Sequence, residues 1–271
     1  MDAKKRISIE KRAHIVRGLC NVTGYGFQNI FESCECEKLD YKLIRYPLGE
    51  NGILGCAQIK DNDKVIFTNS SVILAREIFS VAHEIGHHEL HLNHDCAMIR
   101  DVDFSDRDAR ESEANYFAAC LLMPEEEIQK FIRYDLMDKS VKDWSGLDIA
   151  RFQTAFNVSF DMALTRLESM GLINAADLVK FQSQKSETTV TRLLQIIGGT
   201  TELCQVTNAK KVPAQFIEWV MYNYKEKLIP RSTLEKAFSY FDISPEEVIQ
   251  EDAETPKDDE SLDDLIGGLD E

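Results

Sequence analysis

Five of the six histidines lie in one short run, "VAHEIGHHELHLNHD", at residues 81–95. Within it, His83-Glu84-Ile85-Gly86-His87 has the form H-E-x-x-H. Helix positions i and i+4 lie on one face about one turn apart, so His83 and His87 can direct two imidazoles at one zinc ion. Glu84 is rotated by about 100° from His83 and can instead reach a water activated by that metal. The pattern therefore predicts metal-dependent hydrolysis of a carbonyl compound such as a peptide.

Two histidines do not complete a tetrahedral zinc site. A third histidine at the metzincin spacing would be residue 93, which is Asn93, so that class is excluded. His88, His91 and His94 are alternatives within the same run. Because His91 lies two turns beyond His83, we expect it to hydrogen-bond within the site rather than to bind the metal.

The stretch "ESEANYFAACLLMP", residues 111–124, contains the preferred third ligand. On a helical wheel Glu111 lies beside the inward-facing Ala114/Ala118 stripe, whereas Glu113 projects on the other side. An unpaired buried carboxylate is costly, and binding a cation removes that cost. We therefore predict Glu111 as a metal ligand and Asn115 as a residue that orients a ligand. Two alternatives stay open: Glu113 is the ligand, or both acids are exposed in the first helical turn.

The elements that must position these residues begin with three predicted strands, at 41–47, 52–60 and 64–69, the last two joined by a hairpin at "DND". A helix starting near Val72, with Ser70 and Ser71 as N-cap candidates, carries the histidines. After a loop at about 93–107, a second helix carries Glu111 and stops at Pro124.

Helices are also predicted on both sides of this centre. Two precede it, at residues 8–22 and about 27–37. Three short ones follow it, the last with Ser159 as N-cap and Gly171 at its end.

The two stretches "LAREIFSVAHEIGHHELH" and "ESEANYFAACLLMP" together resemble the ImmA/IrrE family of bacterial zinc metallopeptidases. The second stretch is also similar to the downstream ligand helix of thermolysin-like gluzincins. The resemblance covers about residues 10–175 and implies one Zn²⁺ per chain, bound by His83, His87 and Glu111, with Glu84 as the general base. It further implies a protein substrate, a helix-turn-helix transcriptional repressor, and hence an anti-repressor role.

The implied fold class is α+β: a zincin-like metallopeptidase core, with a small antiparallel sheet packed on helices, followed by a mostly helical region. We predict a zinc metallopeptidase domain with a trailing helical segment at 1–182. The polar residues 182–189 mark its boundary with a helical region at 190–250. Residues 251–271 are predicted to be an acidic disordered tail.

Composition narrows the function further. The net charge is −16, and residues 246–271 carry −11 of it, so neither part is a basic surface for nucleic acid. No apolar segment is long enough to cross a bilayer, and no secretory signal is found at the N-terminus. Seven cysteines, an odd number without that signal, are typical of reduced thiols. We therefore expect a cytoplasmic protein.

Two other functions are weighed against the endopeptidase. One is a zinc-containing sensor or binding module that regulates a transcription factor without efficient cleavage; the intact Glu84 argues against a degenerate site. The other is a transcription factor that uses residues 146–171 as a helix-turn-helix. Its second helix has one basic residue, Arg166, and two acidic ones, Asp161 and Glu168. We therefore interpret this segment as helices that pack against the domain rather than as a DNA-binding motif.

Overall fold

A computed structural model describes residues 1–60, 62–92, 98–101 and 109–248. For residues 98–101, 214 and 247 the structure describes the backbone alone. The architecture is α+β, as predicted, with one small sheet and a majority of helix.

The described strands form one sheet in the order β1-β3-β2-β4. Their bounds are β1 Tyr41–Tyr46, β2 Gly55–Lys60, β3 Asp63–Asn69 and β4 Met98–Asp101. The three strands predicted from the sequence, with the β2–β3 hairpin, are confirmed. The sheet is mixed rather than wholly antiparallel, because β1 crosses over β2 and pairs with β3 in parallel. β4 was not predicted; it pairs antiparallel with β2 inside the stretch interpreted as a loop.

The described helices account for most of the remaining chain. They are α1 Ala3–Leu19, α2 Ile30–Ser33, α3 Leu74–Leu90, α4 Ala109–Leu122, α5 Glu125–Tyr134, α6 Gly146–Phe156, α7 Phe160–Ser169, α8 Ala175–Glu187, α9 Val190–Ile196, α10 Ala214–Lys225, α11 Arg231–Ser239 and α12 Pro245–Val248, with 3₁₀ turns at Val141–Asp143 and Glu202–Cys204.

The helix that carries the histidines, α3, lies between the sheet and α4. Ile78, Val81, Ala82 and Ile85 are buried, so its apolar side faces the core as the periodicity predicts. The N-cap residue is Ile73, not a serine. The serine hydroxyls have other partners: Ser70 donates to the Ala209 carbonyl and Ser71 accepts from the Gly49 N–H.

The predicted helices lie at the expected positions in the chain, but some of them begin or end at other residues than predicted. The first begins earlier, at Ala3, because the Asp2 side chain caps it by accepting a hydrogen bond from the Lys5 N–H. The second is one short turn, Ile30–Ser33. Ser159 caps α7 as predicted, and Gly171 follows it with a positive φ of 70°.

By contacts the chain divides into two compact units, at residues 1–217 and from residue 218 onward. The residues 182–189 proposed as a domain boundary fall inside the first unit, in α8 and directly after it. The predicted acidic tail, 251–271, lies outside the described residues. Among the helices that are described, none has the length and apolar character needed to cross a bilayer.

Residues 205–211, here called the strap, belong to the first unit and run along the free edge of β1. Arg45 and Lys211 exchange two backbone hydrogen bonds of 2.9 Å, and the Leu74 N–H donates to the Gln205 carbonyl at 2.8 Å. The strap therefore pairs with the edge strand β1 at Arg45 and meets the first turn of α3, so residues beyond the predicted boundary at 182–189 are hydrogen-bonded to the sheet.

Beneath the strap, a buried ion pair ties β1 to α3. Glu77 is fully buried, and Arg45 donates to both of its oxygens at 2.8 and 2.7 Å. The Thr68 hydroxyl also donates to this carboxylate, at 3.1 Å. The Arg45 guanidinium lies 3.7 Å from the centre of the Phe31 ring. Each charged group thus has close partners on several elements.

Arg45→Ala should strongly destabilise the first unit. It leaves the Glu77 carboxylate buried without its cation, which typically costs about 3–5 kcal/mol. Lys185→Ala is the control, because its ion pair with Asp161 is solvent-exposed and should contribute less than about 1 kcal/mol. Urea unfolding measures both free energies. Equal, small changes would show that the Arg45 pair is not a stabilising feature.

Candidate metal centre

Three side chains from two helices converge on one point. The Nε2 atoms of His83 and His87, both on α3, are 2.9 Å apart. The Glu111 carboxylate on α4 places one oxygen 3.2 Å from the His83 Nε2 and the other 3.4 Å from the His87 Nε2. Both imidazoles are fully shielded from solvent, and the Glu111 side chain is 17% exposed. The three residues predicted as metal ligands are thus brought together.

The separations of these donor atoms fit zinc. With metal–ligand bonds of about 2.0–2.2 Å, tetrahedral geometry places neighbouring donor atoms roughly 3.3 Å apart. Two neutral imidazoles and one carboxylate are also a donor set that zinc prefers at catalytic sites, where a fourth position stays open. The residues present therefore suit a zinc ion.

Glu84 lies next to this cluster, between α3 and the sheet. Its side chain is fully buried. A Cβ built on Gly55, the first residue of β2, would lie 2.0 Å from Glu84 Oε1. Only glycine at position 55 therefore lets the strand come this close to the carboxylate. The backbone of β2 forms one wall of the space that Glu84 occupies.

The close approach of α3 and α4 depends on small residues. A Cβ built on Gly86, inside the H-E-x-x-H motif, would lie 3.1 Å from a ring carbon of Phe117 and 3.2 Å from the Ala114 Cα. Ala114 and Ala118 are buried, as the helical wheel predicts, and Phe117 is buried with them. This packing brings Glu111 within reach of the histidines across the helix interface.

Glu113, the rival ligand, points elsewhere. Its carboxylate is 3.1 Å from the His91 Nε2 and 2.9 Å from the Lys5 ammonium, and no contact with His83 or His87 is seen among the described residues. Burial opposes ionisation of Glu113, but the hydrogen bonds from Lys5 and His91 outweigh it and lower its pKa. Glu113 is therefore a charged partner of His91 and not a member of the ligand cluster.

The other described histidines of the run, His88 and His91, also lie outside the cluster. The His88 Nε2 is 3.0 Å from the Val65 carbonyl on β3, and burial lowers the pKa of His88 to about 4, so that this ring is neutral. The His91 Nδ1 is 2.9 Å from the His87 Nδ1, as expected for a residue that hydrogen-bonds within the site. His94 lies outside the described residues.

Asn115 lies one turn along α4 from Glu111. Its side-chain oxygen is shielded from solvent. The predicted role, orienting a metal ligand, stays a prediction.

Sequence reasoning missed two contributors to the site. Gly55 is predicted only as part of a strand, although a glycine inside a β-strand indicates a bulge or the close approach of another group. Lys5 lies far upstream of the motifs, and no local spacing relates it to Glu113. The ion pair between Lys5 on α1 and Glu113 on α4 can be recognised only once the packing of the two helices is known.

Gly55→Ala should impair the site more than its small volume suggests. The added methyl would overlap the Glu84 carboxylate, so either the strand or the carboxylate must move. Gly18→Ala in α1 is the control, because a methyl group added there would meet no atom within 4 Å. We expect peptidase activity to fall at least tenfold for Gly55→Ala and to be unchanged for Gly18→Ala. Equal activities would place Glu84 away from the reacting groups.

Residues 146–171 pack into the core rather than present a recognition helix. Arg166, the one base of α7, is 5% exposed, and its Nε donates to the Met123 carbonyl at 3.0 Å. Its guanidinium also faces the Tyr116 ring, 5.8 Å from the centroid. A side chain held in this way does not reach a nucleic acid, which agrees with the packing interpretation.

Residues 36–168 match the Peptidase_M78 family model, described as an IrrE N-terminal-like domain. The match spans β1 to β4, α3 to α6 and α7 up to residue 168, and so contains all four predicted site residues. No curated protein matches the chain. The resemblance to the ImmA/IrrE family is confirmed over this region, and the match supports a peptidase.

Proposed function

We propose, from the IrrE N-terminal-like peptidase domain at residues 36–168, that this chain is a zinc-dependent endopeptidase. The observation that carries the proposal is the convergence of the His83, His87 and Glu111 donor atoms beside a buried Glu84. Three protein ligands with a carboxylate next to them are the arrangement used by zinc hydrolases.

In the proposed reaction three residues bind the metal and a fourth transfers a proton. His83, His87 and Glu111 hold the zinc through Nε2, Nε2 and carboxylate oxygen. Bound there, zinc polarises the scissile carbonyl and lowers the pKa of the attacking water. Glu84 accepts a proton from that water on its carboxylate as the new C–O bond forms, and passes it to the amine nitrogen as the C–N bond breaks.

We propose a protein substrate, a helix-turn-helix transcriptional repressor, and an anti-repressor role. This part rests on the ImmA/IrrE resemblance, whose members act on such repressors. The charge of this chain and the buried Arg166 support contact with the repressor rather than with DNA. The described cysteines, Cys20, Cys34, Cys36, Cys56, Cys120 and Cys204, are all free thiols, which supports action in the reducing cytoplasm.

Co-expression with a helix-turn-helix repressor from the same genome tests the substrate. The wild-type chain should convert the repressor into two fragments whose masses identify one cleaved bond. Glu84→Gln should leave the repressor intact at the same expression level. Fragments of the same mass in both cultures would mean that another protease cuts the repressor. An intact repressor with the wild-type chain, together with Glu84-dependent cleavage of an unrelated protein, would reassign the substrate and keep the activity.

A further inference from the structure

Three side chains outside the motif and the ligand set are connected to the candidate metal centre by hydrogen bonds and an ion pair. We infer that His91, Glu113 and Lys5 position the metal ligand His87, holding its Nε2 toward the metal. The inference rests on the proposed zinc site and deepens it. It gives Glu113 a role other than ligation, and it adds α1 to the machinery although α1 lies before the matched family region.

The contacts run in sequence from the ligand to the surface. The Nδ1 of His87 is 2.9 Å from the Nδ1 of His91. The Nε2 of His91 is 3.1 Å from the Glu113 carboxylate, and the same oxygen is 2.9 Å from the Lys5 ammonium. Four residues, on α3 and its C-cap, on α4 and on α1, are thereby linked without a break.

The Glu113 carboxylate sets the hydrogen-bond directions along this chain when both imidazoles are neutral. A carboxylate only accepts, so His91 must donate to Glu113 through its Nε2–H. A neutral His91 then has a bare Nδ1 that accepts, so His87 must donate through its own Nδ1–H. The His87 Nε2 then carries no hydrogen, so its lone pair is available to a metal. This is the atom that faces His83 and Glu111. Each bond therefore selects the one His87 tautomer that binds a metal through Nε2.

Burial makes this selection effective. The His91 side chain is 6% exposed, and that of Glu113 is 17% exposed. Water therefore competes weakly for these hydrogen bonds, and the Lys5 ammonium compensates the Glu113 charge. By contrast, His88 on the same helix is hydrogen-bonded to the Val65 carbonyl and makes no hydrogen bond to the cluster in the described contacts.

The test compares two substitutions of one residue. His91→Leu keeps the bulk and removes both hydrogen bonds, whereas His91→Gln offers an oxygen acceptor for His87 and an amide donor for Glu113. Zinc affinity of the purified full-length protein is measured by competition with a chromogenic chelator. We expect His91→Leu to weaken binding about 10–100-fold, the range for loss of a group that orients a ligand, and His91→Gln to restore most of the affinity. Glu113→Gln should show a smaller loss in the same direction.

A second readout separates positioning from a general loss of structure. Nitrogen NMR of the zinc-free protein reports which nitrogen of each imidazole carries the proton. In the wild type, His87 should be protonated at Nδ1 alone; in His91→Leu it should be a mixture of tautomers at an unchanged melting temperature. Lys4→Ala is the surface control for Lys5→Ala, since Lys4 is exposed and precedes Lys5 on α1.

The outcomes distinguish this inference from the proposed function. Tight zinc binding by the wild type with equal affinity in His91→Leu would overturn the positioning chain and leave the zinc site intact. If His91→Leu does not fold, the zinc affinities of Glu113→Gln and Lys5→Ala test the inference instead. Full wild-type zinc affinity in both variants would overturn the positioning role of these residues. No zinc binding by the wild type would instead overturn the proposed function.

Discussion

Glu84→Gln is expected to keep its zinc and to lose about a thousandfold or more in the rate of peptide hydrolysis. The amide has the shape of the carboxylate but cannot accept the proton of the attacking water, and general-base catalysis typically contributes about 10²–10⁴-fold. The fully buried side chain next to Gly55 leaves little room for another base to substitute. Rates are measured on the repressor or on the protein found to be cleaved.

Glu89→Gln is the matched control on the same helix. Its carboxylate accepts from the Tyr41 hydroxyl at 2.5 Å and pairs with Arg12, so it holds α3 against neighbouring elements and takes no part in the site. We expect its rate per folded molecule to equal that of the wild type. Activity of Glu84→Gln equal to that of Glu89→Gln would show that Glu84 is structural.

His83→Ala combined with His87→Ala is expected to abolish tight zinc binding. Each change removes one of three converging donor atoms, and one remaining carboxylate does not form a tight zinc site. The purified wild type should contain about one zinc per chain by elemental analysis. Full zinc content in the double variant would place the metal elsewhere.

Glu111→Ala and Glu113→Ala form the second half of this prediction. Loss of a direct ligand should weaken zinc binding far more than loss of a partner of His91, so Glu111→Ala should be the more severe change. The reverse order would make Glu113 the ligand and would contradict the geometry of the site.

The agreement between sequence and structure is greatest where chemistry and helical periodicity coincide. The spacing of His83 and His87 places both on one helix face, and the alanines beside Glu111 permit a close helix partner, so both helices are predicted and the structure packs them together. The β2–β3 hairpin was predicted for a similar reason, since turn residues separate two β-rich runs.

The differences arise where the structure depends on distant partners. The pairing of β1 with β3 in parallel and the addition of β4 depend on sheet assembly, which no local pattern encodes. The strap is held by backbone hydrogen bonds to β1 and the start of α3, and its Thr207 and Lys211 side chains contact Glu77 and Glu35, so all these partners lie far away in the sequence. Lys5 acquires its role only because α1 packs against α4.

Return of zinc to the metal-free chain is the most direct test of the central claim that His83, His87 and Glu111 hold a catalytic zinc beside Glu84. The chain is stripped with a chelator, zinc is added in fractional equivalents, and substrate cleavage is measured at each addition. We predict no cleavage without metal, a linear rise with added zinc and a plateau at about one equivalent, with Glu84→Gln inactive throughout. Undiminished cleavage by the metal-free chain, or a Glu84→Gln titration that matches the wild type, would contradict the account.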